Sequence, residues 1–108
     1  MNYRVEATPL FLVEAKKLTK KYLSLKLDIS ILAEQLSANP LQGIPLGKGA
    51  YKIRLSITSK GKGKSGGARV ITCVKIISSK VYLVSIYDKS DQDSISDKVL
   101  KERLKNLI

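Results

Sequence analysis

Several residue types on which enzymes commonly depend are missing from this sequence. There is no histidine and no tryptophan, and Cys73 is the only cysteine. No aspartate or glutamate occurs between Glu34 and Asp88, so the middle of the chain offers no paired carboxylates and no acidic metal ligands. Mechanisms that need an imidazole or a bound metal ion are therefore excluded or poor, and we expect neither a metal nor another cofactor. The single cysteine cannot form an internal disulfide.

Long hydrophobic runs are missing as well. No apolar stretch approaches the roughly 18 residues that read as a membrane-spanning helix. The first 18 residues mix arginine, glutamate and lysine into their apolar positions, a pattern unlike that of a signal peptide. We therefore expect a soluble, cytoplasmic protein without a membrane partner. Its 108 residues, 44% of them hydrophobic, fit one compact domain over residues 1–108.

Acidic residues are few compared with basic ones. The chain has 20 Lys+Arg against 9 Asp+Glu, a formal net charge of +11. The acid-free middle of the chain carries a block of cations: Lys48, Lys52, Arg54, Lys60, Lys62, Lys64, Arg69, Lys75 and Lys80. Such a field attracts polyanions, namely nucleic acid or acidic protein segments. A basic block also fits a solvated surface, so charge alone leaves both interpretations open.

The N-terminal part of the chain predicts a strand followed by two helices. Alternating residues around positions 3–7 indicate a short strand, and Thr8-Pro9 is typical of a helix start, with an N-cap residue before a proline. A second helix runs from about Ser24 to the Asn39-Pro40 step, where proline disfavours a helical residue before it. Residues 41–49 hold three glycines and a proline, which predicts a loop.

The C-terminal part predicts three strands and a last helix. Residues 51–58, 68–77 and 80–87 are rich in Val, Ile and Tyr, and residues 95–107 suit a helix with an apolar stripe. The predicted order is β-α-α-β-β-β-α, an α+β fold with a helical hairpin near the N-terminus. The period of two in the first of these strands places Lys52 and Arg54 on one face.

The loop at residues 59–69 alternates lysine with glycine at Lys60, Lys62 and Lys64. Gly63-Lys64-Ser65 is similar to the end of a nucleotide-binding P-loop, but Thr58 stands where that motif needs glycine, and a strand is predicted where it needs a helix. Glycine lets backbone amides and lysine side chains approach a phosphate closely, so the loop suits an RNA backbone. A flexible hairpin tip is the structural alternative.

With histidine and metal excluded, cleavage of an RNA chain would proceed by attack of the neighbouring 2′-OH. Cations would stabilise the charged phosphorane, and a lysine or tyrosine would move protons. A lysine surrounded by other cations has its charged form disfavoured, which lowers its pKa toward that of a useful base. We hypothesise that Lys60 or Lys62 has this role.

Three segments together resemble the RelE/ParE superfamily of bacterial type II toxins, most closely its HigB-like, ribosome-dependent branch. They are Tyr51-Lys52-Ile53-Arg54, residues 59–71 around the glycine-lysine loop, and residues 82–89, in the order and spacing of that branch. The resemblance covers essentially the whole chain. It implies a RelE-like, microbial-RNase-type fold with an antiparallel-rich sheet, helices packed on one side and a concave basic face over messenger RNA in the A site of the 30S subunit.

The same resemblance assigns roles to individual residues. Arg54 and Arg69 would contact the scissile phosphate, and Tyr87 would stack on a base or share in proton transfer. The loop lysines would supply a base and a backbone grip, and further RNA contacts would come from Lys52, Lys64 and Lys89. Structural alternatives stay open: solvent-face positions for Lys52 and Arg54, an ion pair of Arg69 with Asp88, a core position for Tyr87, and a solvated Lys89.

The resemblance also implies partners. A cognate antitoxin would cover the basic face or displace the C-terminal helix, and the toxin–antitoxin complex would bind operator DNA mainly through the antitoxin. Two other functions remain open at this point. One is a ParE-like inhibitor of DNA gyrase, which needs no lysine loop, and the other is an RNA-binding protein without catalysis, which would leave RNA intact.

Overall fold

The computed structural model describes residues 2–61 and 66–107. The elements follow in the order β1 (Arg4–Ala7), α1 (Pro9–Lys21), α2 (Leu25–Ala38), β2 (Ile44–Gly47), β3 (Ala50–Leu55), a short 3-10 turn (Thr58–Lys60), β4 (Ala68–Lys75), β5 (Lys80–Asp88) and α3 (Asp97–Lys105). Within the described ranges, no helix is long and apolar enough to cross a membrane.

The five strands form one sheet in the order β1-β5-β4-β3-β2. The pairs β2–β3, β3–β4 and β4–β5 are antiparallel, and β1 runs parallel to β5. The α+β fold with a mostly antiparallel sheet is therefore confirmed. Consecutive hairpins bring the acid-free middle of the chain together on neighbouring strands.

The helix boundaries follow from local chemistry. The Thr8 hydroxyl accepts a hydrogen bond from the backbone N–H of Phe11 and donates to the carbonyl of Leu83, which caps α1 and fixes it to the sheet. Proline is in the first turn of α1, where its missing N–H costs nothing. The second helix ends at Ala38, two residues before Pro40, as predicted.

Two apolar clusters lie on opposite faces of the sheet. The larger contains Phe11 and Leu25 from α1 and α2, packed on Ile53, Val70 and other strand residues. The smaller contains Leu100 of α3, packed on the opposite face through Ile71, Cys73, Val84 and Tyr87. The expectation of helices on one side is therefore wrong, because α3 covers part of the second face.

The segment predicted as a loop at residues 41–49 contains a strand. Ile44 pairs with Lys52 and Pro45 with Tyr51, so β2 is the edge strand of the sheet. Proline is tolerated on an edge strand because no further strand needs its N–H. Gly47, Lys48 and Gly49 all have positive φ and form the tight turn into β3. The order is therefore β-α-α-β-β-β-β-α, with one strand more than predicted.

The edge of β5 is only half covered by β1, whose register reaches from Lys80 to Leu83. Beyond it, Glu14 Oε1 accepts from the backbone N–H of Ile86 at 3.3 Å, and Arg103 donates to the carbonyl of Val84 at 2.9 Å. Glu14 and Arg103 also form a two-point ion pair at 2.9 and 2.8 Å. These side chains tie α1 and α3 to the uncovered edge.

Gly67 brings the chain back into the sheet at the start of β4. A Cβ atom at this position would overlap the carbonyl oxygen of Leu55 on β3. The carbonyl of Gly67 accepts a hydrogen bond from the backbone N–H of Lys89 at 3.0 Å. Glycine is therefore required where β3, β4 and the end of β5 come closest together.

Candidate functional site

Three side chains form a row across the three neighbouring strands β3, β4 and β5, near one end of these strands. Arg54 on β3 lies directly opposite Arg69 on β4, and Arg69 lies directly opposite Tyr87 on β5. Directly opposite residues of antiparallel strands point to the same face. We call these three residues the cross-strand row. Lys52 lies two residues before Arg54 and therefore extends the row along β3 on the same face.

The cross-strand row is open at one end and covered at the other. Arg54 is exposed and Lys52 is partly exposed, whereas only 4% of Arg69 and 6% of Tyr87 are accessible to solvent. Tyr87 belongs to the apolar cluster that contains Leu100. It is thus a core aromatic as well as a member of the row.

The Tyr87 hydroxyl is buried without a hydrogen-bond partner among the described residues. Burial raises the pKa of Tyr87 above its ordinary value, and the positive charge of Arg69 opposes this shift only in part. The raised pKa favours the protonated form of the phenol at neutral pH.

Lys60 is held in a network of hydrogen bonds. Its Nζ donates to Asp88 Oδ1 at 2.8 Å and to Ser90 Oγ at 2.7 Å, and it lies 5.3 Å from the ring centre of Tyr22. The hydrogen bond with Asp88 raises the pKa of Lys60. The expectation of a lowered pKa at Lys60 is wrong, because Asp88, which is 28 residues away in the chain, lies beside its ammonium group.

Asp88 is the acceptor at the centre of this network. Its carboxylate accepts from Lys60, from the Tyr22 hydroxyl at 2.6 Å and from the backbone N–H of Ser90 at 2.9 Å. Burial alone would raise the pKa of Asp88, but the hydrogen bonds from Lys60, Tyr22 and Ser90 lower it far below its usual range. The partners of Asp88 are therefore these groups, in place of the ion pair with Arg69 considered from the sequence.

A second network holds the turn between β3 and the lysine-glycine loop. Asp28 on α2 accepts from the backbone N–H of Thr58 at 3.0 Å and from its hydroxyl at 2.7 Å. Ser24 at the start of α2 donates to Asp28 and accepts from the backbone N–H of Ser59. Both networks together fix residues 58–60. Lys62 and Lys64, predicted from the sequence to bind or cleave RNA, lie outside the described residues.

Lys89 follows β5 and forms an ion pair with Asp93 at 2.6 Å. The hydrogen bond from Lys89 lowers the pKa of Asp93, and the charge of Lys52 contributes to the same shift. A third of the Lys89 side chain is exposed. The acidic segment that follows β5 therefore lies close to two of the predicted RNA-binding lysines.

Arg54 and Lys52 also line a groove of about 600 Å³ between α2 and β3. Asp28, Ile31 and Gln35 form its α2 wall. Within residues 2–61 and 66–107, no group of three or more His, Cys, Asp or Glu side chains could hold a metal ion.

Sequence reasoning missed the residues that organise this site. Asp88, Tyr22 and Asp28 carry its hydrogen-bond networks, and each comes from an element distant in sequence from the loop. One sequence signal was available for Asp88, since an acid at the end of an apolar strand is unusual in so basic a chain. Nothing in the sequence marks Tyr22 or Asp28.

Fold and site together define a class of protein. It is a small α+β protein with an antiparallel sheet that carries a row of cations and a tyrosine on one face. The sequence profile described as "RelE toxin of RelE / RelB toxin-antitoxin system" matches residues 26–107. The chain therefore belongs to the RelE toxin family, which confirms the resemblance found in the sequence.

Solved structures show the same fold. A free-state double arginine mutant of the E. coli toxin RelE has a TM-score of 0.66 at 17% identity, with 100% of both chains covered. The RelBE2 toxin–antitoxin complex from Mycobacterium tuberculosis has a TM-score of 0.61 at 19% identity, covering 84% of this chain and 95% of the other. Isolated E. coli RelE has a TM-score of 0.57 at 18% identity, covering 98% of this chain and 99% of the other. A comparison with curated protein sequences gives no significant match.

Proposed function

We propose that this RelE-family toxin is a metal-independent endoribonuclease that cleaves messenger RNA in the ribosomal A site and so inhibits translation. The cross-strand row of Arg54, Arg69 and Tyr87 is the observation that supports this proposal most directly. Directly opposite side chains of neighbouring strands lie close together, so one anion can interact with both guanidinium groups. A phosphate group of RNA is an anion of that kind.

In the proposed reaction the 2′-oxygen of one nucleotide attacks the adjacent phosphorus while the bond to the 5′-oxygen breaks. Negative charge develops on the non-bridging oxygens, where Arg54 and Arg69 would stabilise it. The proton of the 2′-OH goes to a base and a proton returns to the leaving 5′-oxygen. The products are a 2′,3′-cyclic phosphate and a 5′-hydroxyl, and no metal ion is needed.

Tyr87 suits the second proton transfer. Its raised pKa keeps the hydroxyl protonated, and the hydroxyl has no partner among the described residues that would have to be displaced. Because only 6% of Tyr87 is exposed, RNA reaches it only when the segment after β5 moves aside. Lys62 remains the proposed base, and Lys52, Lys64 and Lys89 the proposed backbone contacts.

The partners follow from the family. We infer an acidic or amphipathic antitoxin that covers the basic face or displaces α3, as the M. tuberculosis relative forms a toxin–antitoxin complex. Operator DNA would bind to the toxin–antitoxin complex rather than to the toxin alone. The net charge of +11 favours an acidic partner.

Primer extension on a defined messenger RNA, with and without translating ribosomes, tests the proposal. Wild type is compared with Arg54→Gln, which removes an exposed member of the cross-strand row, and with Arg4→Gln, which removes an exposed arginine at the other end of the sheet. With wild type and with Arg4→Gln we expect cleavage that depends on ribosomes. With Arg54→Gln we expect the cleavage rate to fall by about 10²-fold or more.

Intact RNA in every lane, from protein shown to be folded, would overturn the proposal. Potent inhibition of gyrase supercoiling by the same preparation would then favour the ParE-like alternative. RNA binding without cleavage would favour a purely binding protein. In that case the slope of binding affinity against salt concentration should decrease in Arg54→Gln by about the value of one phosphate contact.

A further inference from the structure

The environment of Lys60 differs from that of a lysine that contacts RNA. Only 10% of its side chain is exposed, and its Nζ has two strong hydrogen-bond partners, Asp88 and Ser90. An ammonium has three N–H donors and no lone pair. Two of these donors are used, and the ring of Tyr22 lies near the same nitrogen.

We propose that Lys60 is a positioning residue, clamped by Asp88 and Tyr22, rather than a catalytic base. The clamp joins three elements: the turn after β3 through Lys60, the end of β5 through Asp88, and the end of α1 through Tyr22. The effect of the clamp on cleavage rests on the proposed nuclease function, whereas the existence of the clamp does not. The existence of the clamp and its effect on cleavage are therefore tested separately.

The clamp lies next to the cross-strand row. Asp88 follows Tyr87 in the chain and is directly opposite Ala68, the neighbour of Arg69. A shift in the end of β5 would therefore move both Arg69 and Tyr87 relative to Arg54. Small misplacements of reacting groups reduce rates steeply, by about 10²-fold for about 1 Å. The clamp sets the spacing of the row while its own atoms stay out of the reaction.

Burial supports the assignment. The side chain of Asp88 is fully buried, so its carboxylate keeps its charge only because Lys60, Tyr22 and Ser90 donate to it. Removing the proton from Lys60 would leave this buried charge without its cation. A general base has to give up and take up that proton in every turnover, and Lys60 is in the place least suited to it.

The first experiment examines the clamp in the free protein, independently of any activity. Ammonium groups held by hydrogen bonds exchange slowly, so we expect a lysine ¹⁵Nζ–¹H correlation from Lys60 in the wild-type NMR spectrum. This correlation should disappear in Lys60→Met and in Asp88→Asn, and remain in Lys16→Met, which changes an exposed lysine of α1. A wild-type spectrum without a protected ammonium signal, or one whose protected signals all survive in Lys60→Met, would overturn the proposal.

The second experiment measures cleavage kinetics. A positioning lysine can be replaced by another cation that bonds to Asp88, so Lys60→Arg should keep kcat within about threefold, while Lys60→Met loses about 5- to 30-fold with little change in KM. Tyr22→Phe, which keeps the ring and removes only the bond to Asp88, should lose about 2- to 5-fold. The double variant Lys60→Met with Asp88→Asn should have a kcat no lower than that of either single variant.

Loss of about 10²-fold or more in both Lys60→Arg and Lys60→Met, with Tyr22→Phe at the wild-type rate, would identify Lys60 as catalytic and overturn the proposal. If Asp88→Asn does not fold, Tyr22→Phe and Lys60→Arg still decide between the two roles. If wild type cleaves no RNA, the proposed function fails, and the NMR experiment still decides whether the clamp exists.

Discussion

Arg54 and Arg69 lie directly opposite each other on β3 and β4, so both side chains leave the same face of the sheet. A bound anion can interact with both guanidinium groups at once. The pair therefore makes stability sensitive to small anions.

We expect phosphate at about 50 mM, compared with chloride at equal ionic strength, to raise the Tm of wild type by about 2–4 °C. Arg54→Gln should lose most of this gain in Tm, because one of the two cations that hold the anion is removed. Arg4→Gln, which removes an exposed arginine far from the row, should keep the phosphate effect. Differential scanning fluorimetry checks all three, and an equal gain in Arg54→Gln would contradict an anion site at the row.

Tyr87→Phe separates stability from activity. The hydroxyl has no partner among the described residues, so its removal leaves no other buried group unsatisfied there. We expect the free energy of unfolding to stay within about 1 kcal/mol of wild type and the cleavage rate to fall about 10²- to 10⁴-fold. Urea unfolding measures the free energy of unfolding, and single-turnover kinetics measure the cleavage rate. A variant as active as wild type would remove Tyr87 from the chemistry.

The ion pair of Glu14 and Arg103 is expected to hold α3 in place. Arg103→Met should lower the free energy of unfolding by about 1–3 kcal/mol, because it removes the charged donor shared by the Glu14 carboxylate and the Val84 carbonyl. Lys101→Met, two residues earlier and exposed, should change it by less than about 0.5 kcal/mol. Equal urea midpoints for Arg103→Met and Lys101→Met would mean that the ion pair of Glu14 and Arg103 does not contribute to stability.

Acid should destabilise the protein through Asp88. Its folded-state pKa is lowered, so its contribution is fully present above the pKa of an unfolded aspartate, about 3.9, and is lost as the pH falls below that value. The raised pKa of Lys60 acts in the opposite direction, with stability lost as the pH rises above about 10.4. Between these limits the pair should contribute a constant amount.

Urea unfolding at a series of pH values checks this prediction. Asp88→Asn should flatten the acid side of the profile, whereas Asp91→Asn, at an exposed position three residues later, should leave its shape unchanged. Parallel acid profiles for wild type and Asp88→Asn would show that other carboxylates determine the acid sensitivity.

Gly67→Ala should be costly for a steric reason. The added methyl group would overlap the Leu55 carbonyl, and relieving that overlap requires a backbone shift that we expect to cost about 2–3 kcal/mol. Gly61→Ala provides the comparison, since its φ of 72° strains alanine but no atom of the described residues lies within 4 Å of the added Cβ. For Gly61→Ala we expect the free energy of unfolding to fall by about 1 kcal/mol. Thermal unfolding ranks the two, and the reverse order would contradict the steric argument.

Patterns along the chain were enough to predict most of the fold. The N-cap and proline at Thr8-Pro9, the stop before Pro40 and the alternation from Tyr51 onward are local signals, and the structure has elements at each. The strand β2 was missed because Pro45 and the neighbouring glycines are typical of loops. It pairs with β3, and that pairing is not visible in its own four residues.

The site was less predictable because its contacts join distant parts of the chain. Alternation placed Lys52 and Arg54 on one face, but the row with Arg69 and Tyr87 depends on the register of two hairpins. The pKa of Lys60 was predicted in the wrong direction for the same reason. Its sequence neighbours are lysines and glycines, whereas its neighbours in space are Asp88, Ser90 and Tyr22.

The half-covered edge of β5 has a consequence for self-association. An uncovered strand edge is a template on which a second chain can add its own strand, and aggregation often begins there. Here Glu14 and Arg103 bind the backbone N–H of Ile86 and the carbonyl of Val84, two groups that such a strand would use. At the other edge of the sheet, Pro45 in β2 has no N–H to offer. These groups therefore reduce edge-to-edge pairing along part of each side of the sheet, and substitutions at Glu14 or Arg103 should increase aggregation on heating.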